Sequence, residues 1–278
     1  MRKYGWVKDK YQEVENYHRP RVARLPASSG LTPYLPLVFN QDGVGCCTGC
    51  GISGMSSVVA SKLGYQLPDK SLLYSVNWLY NWGRKIEGTL DKDYGASPSD
   101  IFDALNDHGY LFEIDWPFKD VLDETDPTTK EPLAFKYPNF QKVRVDNGID
   151  GILSALGEKN PIAIGAPFFS VWDNPGKDGI LSKVTTDSTV GGGHETFWYD
   201  YDLERELLLG QNSWGDWGKA GRYLMPFSAI PVFKSLGGYD AHYVQFDVNP
   251  TPVPPVPVPV KKECWLLEFL KNRKLANV

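Results

Sequence analysis

Apolar residues recur at a helical period through the first half of the chain and gather into short runs through the second. Behind a cluster of glycines and cysteines, Ile52, Met55, Val59 and Leu63 keep the spacing of one helix face, which predicts a helix starting near Cys47. Gly49, Gly51 and Gly54 fall inside that helix and each weakens it by roughly 1 kcal/mol relative to alanine, so close packing against a neighbouring segment is expected. Further helices are predicted at Leu72–Trp82, at Pro98–His108 with Ser97 as N-cap, and at Ile149–Glu158. Strands are predicted at Ile162–Phe168, Glu195–Tyr201, Arg205–Gln211, Arg222–Pro226 and His242–Val248. Helices first and strands second describe an α+β chain with two lobes. No internal repeat is visible.

The pattern changes near the C-terminus. Residues 251–260 carry five prolines, each fixing φ and removing a backbone donor, so they read as an extended linker. In residues 261–278, Leu266, Phe269 and Leu270 fall on one side of a helix. A short amphipathic tail helix is expected there, docking on its own domain, on a partner protein or on a membrane surface. The organisation read from the sequence is therefore a folded domain over residues 1–250, a Pro-rich linker and a docking tail.

Composition narrows the function. Of 278 residues, 42% are apolar and 13% aromatic, ordinary for a folded protein. Lys and Arg number 29 against 34 Asp and Glu, a net charge of −5, which argues against a nucleic-acid partner. The longest apolar runs, such as Pro161–Phe169, are too short for a transmembrane segment, and the first residues lack the apolar stretch of a signal peptide. Cys46, Cys47 and Cys50 lie too close together to staple distant parts of a fold, so with Cys264 they make no disulfide framework.

Three distant segments hold the residue types of nucleophilic acyl transfer. In the first, Asn40–Cys50, Cys47 sits at a helix start, where unpaired N–H groups and the dipole favour a thiolate. Gln41 can offer a side-chain N–H that meets the Cys47 N–H at a developing oxyanion. In the second, glycines 191–193 lead into His194 at the start of a strand, a base with a near-neutral pKa. In the third, Gln211–Gly218, Asn212 can orient an imidazole while Trp214 shields that bond from water. Cys47-Thr-Gly-Cys50 also fits a redox or zinc half-site, but no second pair completes four-coordinate ligation. His18, His108 and His242 lack this setting and read as surface or core residues, and Asp42 and Glu195 as solvated carboxylates.

Taken together, residues 30–230 resemble the papain-like cysteine peptidase family, in which a Gln-then-Cys spacing, a Gly-His strand and Asn-Ser-Trp-Gly follow in this order. Cys47, His194 and Asn212 are separated by distances inside or just beyond the roughly 130–150 residues expected for that arrangement. The resemblance implies a helical lobe and a β-barrel-like lobe with the site in the cleft between them. It implies Cys47 as nucleophile, His194 as general base and acid, Asn212 as orienter and Gln41 as oxyanion donor. It also implies substrate contacts at Gly95, Ala96, Gly193, Trp214 and Trp217, a polypeptide substrate, and neither metal nor organic cofactor.

Departures from the family pattern carry expectations of their own. Val44-Gly-Cys-Cys-Thr48 replaces the usual Cys-Gly-Ser-Cys-Trp, so the familiar disulfide cannot form, which favours a reducing compartment and a bacterial or viral type of member, cytoplasmic or virion-associated. The two tryptophans of Asn212–Gly218 are one residue closer than usual. About forty residues precede Gln41, too few for a separate inhibitory prodomain, and control by removal of a large prosegment is not expected. Two other functions stay open: a structural or binding component of an assembly, docked by the tail, and a hydrolase or transpeptidase acting on isopeptide or peptidoglycan cross-links.

Overall fold

Helix α1, Cys47–Lys62, is the element around which the rest is arranged. In this computed structural model the described residues are 3–10, 16–20, 24–64, 73–146 and 148–247. The Pro-rich linker at 251–260 and the tail helix at 261–278 lie outside them. Nearly every residue of α1 is buried, which explains its mixed small and apolar sequence: it has no solvent face to keep polar. On one side it packs against α2, Val76–Ile86, and α3, Pro98–His108; on the other it lies along the long strand β3, Val190–Asp202.

That contact needs a helix surface without side chains. A Cβ on Gly54 would come within 2.5 Å of the Phe197 ring, and one on Gly51 within 3.1 Å of Glu195 Cγ. The helix propensity lost at these glycines is the condition for seating α1 on the sheet.

The sheet has six antiparallel strands in the order β1-β6-β2-β3-β4-β5, with β1 at Gln141–Arg144, β2 at Ile162–Phe169, β4 at Leu207–Gln211, β5 at Arg222–Pro226 and β6 at Asp240–Gln245. Helix α4, Gly148–Gly157, a single turn α5, Trp217–Ala220, and α6, Ala229–Ser235, complete the elements. Two apolar cores result. One gathers Met55, Tyr74, Trp78 and Phe102 among the helices, and the other Phe169, Trp172, Trp198 and Phe233 about the sheet. The α+β, two-lobed expectation matches this architecture.

Element boundaries differ from expectation where local chemistry overrides periodicity. Helix α2 starts four residues later than predicted, because Ser75 caps it by accepting from the Trp78 N–H at 3.1 Å. Strand β3 begins five residues before Glu195, so the poor strand formers Gly191–Gly193 are part of it. Ser97 stands at the N-cap of α3 but its side chain makes no cap bond there. That role passes to Asp9, whose Oδ1 accepts from the Ser99 N–H at 2.8 Å and from the Ser97 hydroxyl at 2.7 Å. Gly54→Ala should therefore lower stability by about 1–3 kcal/mol despite the gain in helix propensity. Chemical denaturation checks this, and a stabilised variant would contradict the close seating of α1 on β3.

Candidate active site

Cys47 is the first residue of α1 and is fully buried. Its neighbours are the start of β3 and, unexpectedly, residues 3–9 of the same chain. His194, 2% exposed, places its Nε2 2.7 Å from Asn212 Oδ1. The same oxygen accepts the Ser213 N–H at 2.7 Å, which fixes the amide orientation. Because Oδ1 only accepts, Nε2 carries the proton and Nδ1 presents its lone pair. Nδ1 is buried and has no hydrogen-bond partner. Trp214 stacks on the imidazole at 4.3 Å and 24°.

Gln41 is held from two sides. Its N–H donates to Ser213 O at 2.8 Å, and its Oε1 accepts from the Ser213 hydroxyl at 2.5 Å. Its Nε2 is thereby turned outward, donating to Val44 O at 2.8 Å and to Lys3 O at 3.1 Å. Ser213, inside the Asn-Ser-Trp-Gly motif and without a local signal that marks it, thus holds the Gln41 side chain in place.

The Lys3 carbonyl belongs to an extended segment that runs through the cleft. The Gly5 and Trp6 N–H groups donate to Gly193 O at 3.2 and 3.0 Å. Ala96 N–H donates to Gly5 O at 2.9 Å, and Val7 N–H to Ala96 O at 3.2 Å, making a parallel bridge between Trp6 and Ala96. Gly95, at φ 91°, must be glycine both for that backbone and because a Cβ would strike the Gly5 carbonyl. Tyr4 meets His194 edge-on at 6.0 Å and Trp214 at 5.8 Å, while its hydroxyl donates to Asp173 at 2.9 Å. Lys3 pairs with Asp93, which also accepts from Gly45 N–H and the Tyr80 hydroxyl. Of the expected contact residues, Gly95, Ala96, Gly193 and Trp214 meet this segment. Trp217 lies behind Trp214 at 5.5 Å, with its indole N–H on Asp173 O.

The covered site is dry, and its protonation follows. Burial pushes the Cys47 thiol up to about 12, against a smaller lowering by backbone N–H donors of Glu195 and Gly5 and some raising by the Glu195 charge. The helix start does not prevail over desolvation, so the expected depressed thiol is not found in this state. Burial likewise lowers His194 to about 4, although the Asn212 bond raises it in part. Both groups are neutral here, and Nδ1 has no bond to the sulfur. Glu195, expected in solvent, is fully buried with both oxygens unpartnered. Cys46 and Cys50 face each other in the core at 3.9 Å. Among the described residues no cluster suits a metal ion, and no helix is long and apolar enough to cross a membrane.

Comparison with solved structures decides the fold. The chain is similar to xylellain, a cysteine protease from Xylella fastidiosa, with a TM-score of 0.75 and 24% identity over 90% of this chain and 98% of that one. The fold is papain-like. The same papain-like fold relates the chain to digestive procathepsin L 3 of Tenebrio molitor, at TM-score 0.65 and 15% identity over 85% of this chain and 75% of that one. It extends to the cysteine protease and lectin-like domains of Cwp84 from Clostridium difficile, at TM-score 0.66 and 14% identity over 89% and 57%. No family model matches the sequence, and no curated protein does.

Covering of Cys47 within this papain-like cleft makes a kinetic prediction. Alkylation of Cys47 by iodoacetamide, mapped by peptide mass, should be slow at neutral pH and accelerate as pH rises toward about 12. Fast alkylation with a plateau at neutral pH would show that the sulfur is neither buried nor neutral.

Proposed function

We propose that the chain is a thiol hydrolase of peptide bonds, held latent by its own residues 3–9. One observation carries this reading: an extended polypeptide already lies in the cleft on the groups that acyl transfer to Cys47 would use. Its backbone is bonded to Gly193 O and to both backbone groups of Ala96, and one of its carbonyl oxygens rests on Gln41 Nε2. A tetrahedral oxyanion formed at Cys47 would take the position that Lys3 O now holds. The cysteine proteases among the similar structures support the same chemistry.

In this reading, withdrawal of the strand lets water reach the site, so the thiol falls and the imidazole rises toward their ordinary values. The Cys47 proton passes to His194 Nδ1 and the thiolate attacks the carbonyl carbon. Gln41 Nε2 and the Cys47 N–H hold the oxyanion. His194 returns the proton to the departing amine nitrogen as the C–N bond breaks, leaving a thioester. Water then gives a proton to His194 and attacks the thioester, and the C–S bond breaks as His194 returns that proton to the sulfur, restoring the thiol and the neutral imidazole. Asn212 keeps Nδ1 directed at the sulfur throughout, and the stack with Trp214 keeps its bond dry.

A binding component of a larger assembly is the second reading, favoured by the neutral, occupied state of the site. Activity separates the two. In the peptidase reading, Tyr4→Ala combined with Trp6→Ala raises hydrolysis of unstructured peptides by about tenfold or more, since each aromatic contributes on the order of 1 kcal/mol or more to docking. Cys47→Ala in that background abolishes hydrolysis, and Asn212→Ala weakens it less severely. An opened chain whose Cys47 is alkylated quickly but which cuts no peptide supports the binding reading instead.

A further inference from the structure

Asp93 stands where three parts of the cleft meet: the loop ahead of Cys47, the backbone at Gly95 and the strand of residues 3–9. Both of its carboxylate oxygens accept the Gly45 N–H, at 3.0 and 3.1 Å, and Oδ1 also accepts the Tyr80 hydroxyl at 2.5 Å. The Tyr80 oxygen in turn accepts the Gly95 N–H at 3.1 Å. Lys3 Nζ completes the set on Oδ2. Gly45 permits this approach, since a Cβ there would come 2.9 Å from Asp93 Oδ1. The segment that carries Asp93 is itself anchored. The buried Arg84 guanidinium donates to Leu90 O at 2.5 Å and to Lys92 O at 3.2 Å, and it lies 4.5 Å over the Tyr80 ring.

What Asp93 holds leads to the oxyanion position. The Gly45 N–H and the Val44 C=O belong to one planar peptide unit, so fixing the direction of the first fixes that of the second. Val44 O accepts from Gln41 Nε2 at 2.8 Å, and the remaining hydrogen of that nitrogen is the one that donates to Lys3 O at 3.1 Å. A glycine in the peptide unit leaves it free to swing unless its N–H is tied. Cys46, Cys47 and Cys50 are free thiols, so no disulfide among the described residues ties this loop. An acceptor on the N–H also polarises the peptide and strengthens its carbonyl toward Gln41. Burial raises the Asp93 carboxyl, but the bonds from Lys3, Tyr80 and Gly45 outweigh it and hold the group below the ordinary carboxylate range, so the acceptor is a charged one.

Resting on the peptidase reading above, we propose that Asp93 is a positioning residue for the oxyanion: its carboxylate fixes the Val44–Gly45 peptide, and through it the Gln41 N–H that faces the reacting carbonyl. The role outlasts the strand. When residues 3–9 leave, Lys3 goes with them, whereas the Gly45 and Tyr80 donors belong to the body of the domain and stay. Through Tyr80 the same carboxylate also steadies Gly95, so the oxyanion donor and the backbone beside the substrate are set against one group.

Two experiments on the full chain test this, both in the Tyr4→Ala, Trp6→Ala background that loosens the strand. On an unstructured fluorogenic peptide, Asp93→Ala should lower kcat by about tenfold or more and move KM by less than about threefold, because the group acts on the transition state more than on substrate binding. Asp93→Asn, which keeps one acceptor oxygen for Gly45, should hold kcat within about threefold of the parent. Where alanine does not fold, Asp93→Leu, similar in shape and without acceptors, should show the same loss. With Gln41→Ala already present, Asp93→Ala should cost no more than about twofold further, since both changes remove one contribution. Lys3→Ala breaks the same ion pair from the strand's side and should leave kcat within about twofold. An Asp93→Ala chain that behaves as Lys3→Ala does, or whose loss is undiminished by Gln41→Ala, overturns the proposal.

The second experiment needs no turnover. A short peptide aldehyde adds the Cys47 sulfur at its carbonyl carbon: the S–C bond forms, the C=O π pair moves to oxygen, and the thiol proton passes by way of His194 to that oxygen. The hemithioacetal oxygen then lies at the Gln41 amide, whereas the peptide alcohol of the same sequence binds without forming it. By titration calorimetry, Asp93→Ala should weaken the aldehyde by about tenfold and leave the alcohol within about twofold. Equal changes in the two overturn the proposal. A chain that binds the aldehyde with this dependence on Asp93 but cuts no peptide removes the peptidase reading and retains the positioning role. One that cuts peptide equally well without the carboxylate keeps the reading and overturns the role, and one that with Asp93 intact neither cuts peptide nor takes the aldehyde overturns both.

Discussion

Backbone groups inside a protein must find partners, and the cleft of this molecule is lined by several that its own sheet does not use. Gly193 O, Ala96 N–H and O, and the outward amide of Gln41 all face the same channel. Residues 3–9 satisfy them as an added strand would, by main-chain bonds that demand no particular side chains. The surrounding architecture holds those groups in line. Ala96 is fixed by the Thr48 hydroxyl at 3.0 Å, Gly95 by the Tyr80 hydroxyl at 3.1 Å, and Gln41 by Ser213. A channel prepared to bind backbone in this way receives an intramolecular strand or an intermolecular polypeptide by the same physics, and tethering favours the former through its high effective concentration.

The seam between α1 and β3 is what brings the proposed nucleophile and base into one channel. Cys47 comes from the start of its helix and His194 from the strand interior just past three glycines. The small residues do different work on the two sides. Gly51 and Gly54 let the helix approach the sheet, whereas Gly191, Gly192 and Gly193 leave the strand bare so that Tyr4 and Trp6 can lie flat on it. A side chain on either set would separate the elements or lift the occupant, so the glycines of both motifs serve packing as much as chemistry.

Much of this was legible in the sequence, and for physical reasons. The period of Ile52, Met55 and Val59 marked α1, and Pro98–His108 was bounded by proline and glycine punctuation that the structure follows without a shift. Cys47, Gln41, His194 and Asn212 were picked out by residue type and order. What escaped was everything that depends on tertiary burial. Glu195 reads as a solvated carboxylate because nothing local marks it as lying under a helix. Tyr4, Trp6 and Asp9 have no periodicity, since their strand pairs with backbone from distant segments and its side chains enter unrelated pockets. Strand β1 is four residues long and packs only one of them fully, too short a pattern to stand out. The depressed thiol expected at a helix start fails for the same reason: the helix contribution is local, while the desolvation that outweighs it comes from the tertiary burial of the sulfur.

In the peptidase reading, latency is electrostatic as well as steric. The strand does more than fill the channel; by excluding water it holds Cys47 as a thiol and His194 as a neutral imidazole, with the thiol near 12 and the imidazole near 4. A thiolate and imidazolium pair cannot form while the two values stand in that order, because moving the proton from sulfur to nitrogen would create two charges in a dry site. The sign of the linkage follows. The closed state keeps a proton on Cys47 that the hydrated state releases, so rising pH favours opening as far as this group is concerned. Below the ordinary imidazole range the hydrated state takes up a proton on His194 that the closed state refuses, so falling pH favours opening through that group. These two groups accordingly make the closed state most stable at intermediate pH, where thiol and imidazole are neutral without hindrance. Asp240, which burial raises to about 6, and Glu195 work against opening in acid, since each holds its proton more firmly under the strand than in water. Asp240, which accepts from the Trp6 indole N–H at 3.0 Å, and Glu195 thus oppose the imidazole on the acid side, which leaves rising pH as the direction in which the thiol and the two carboxyl groups together favour opening.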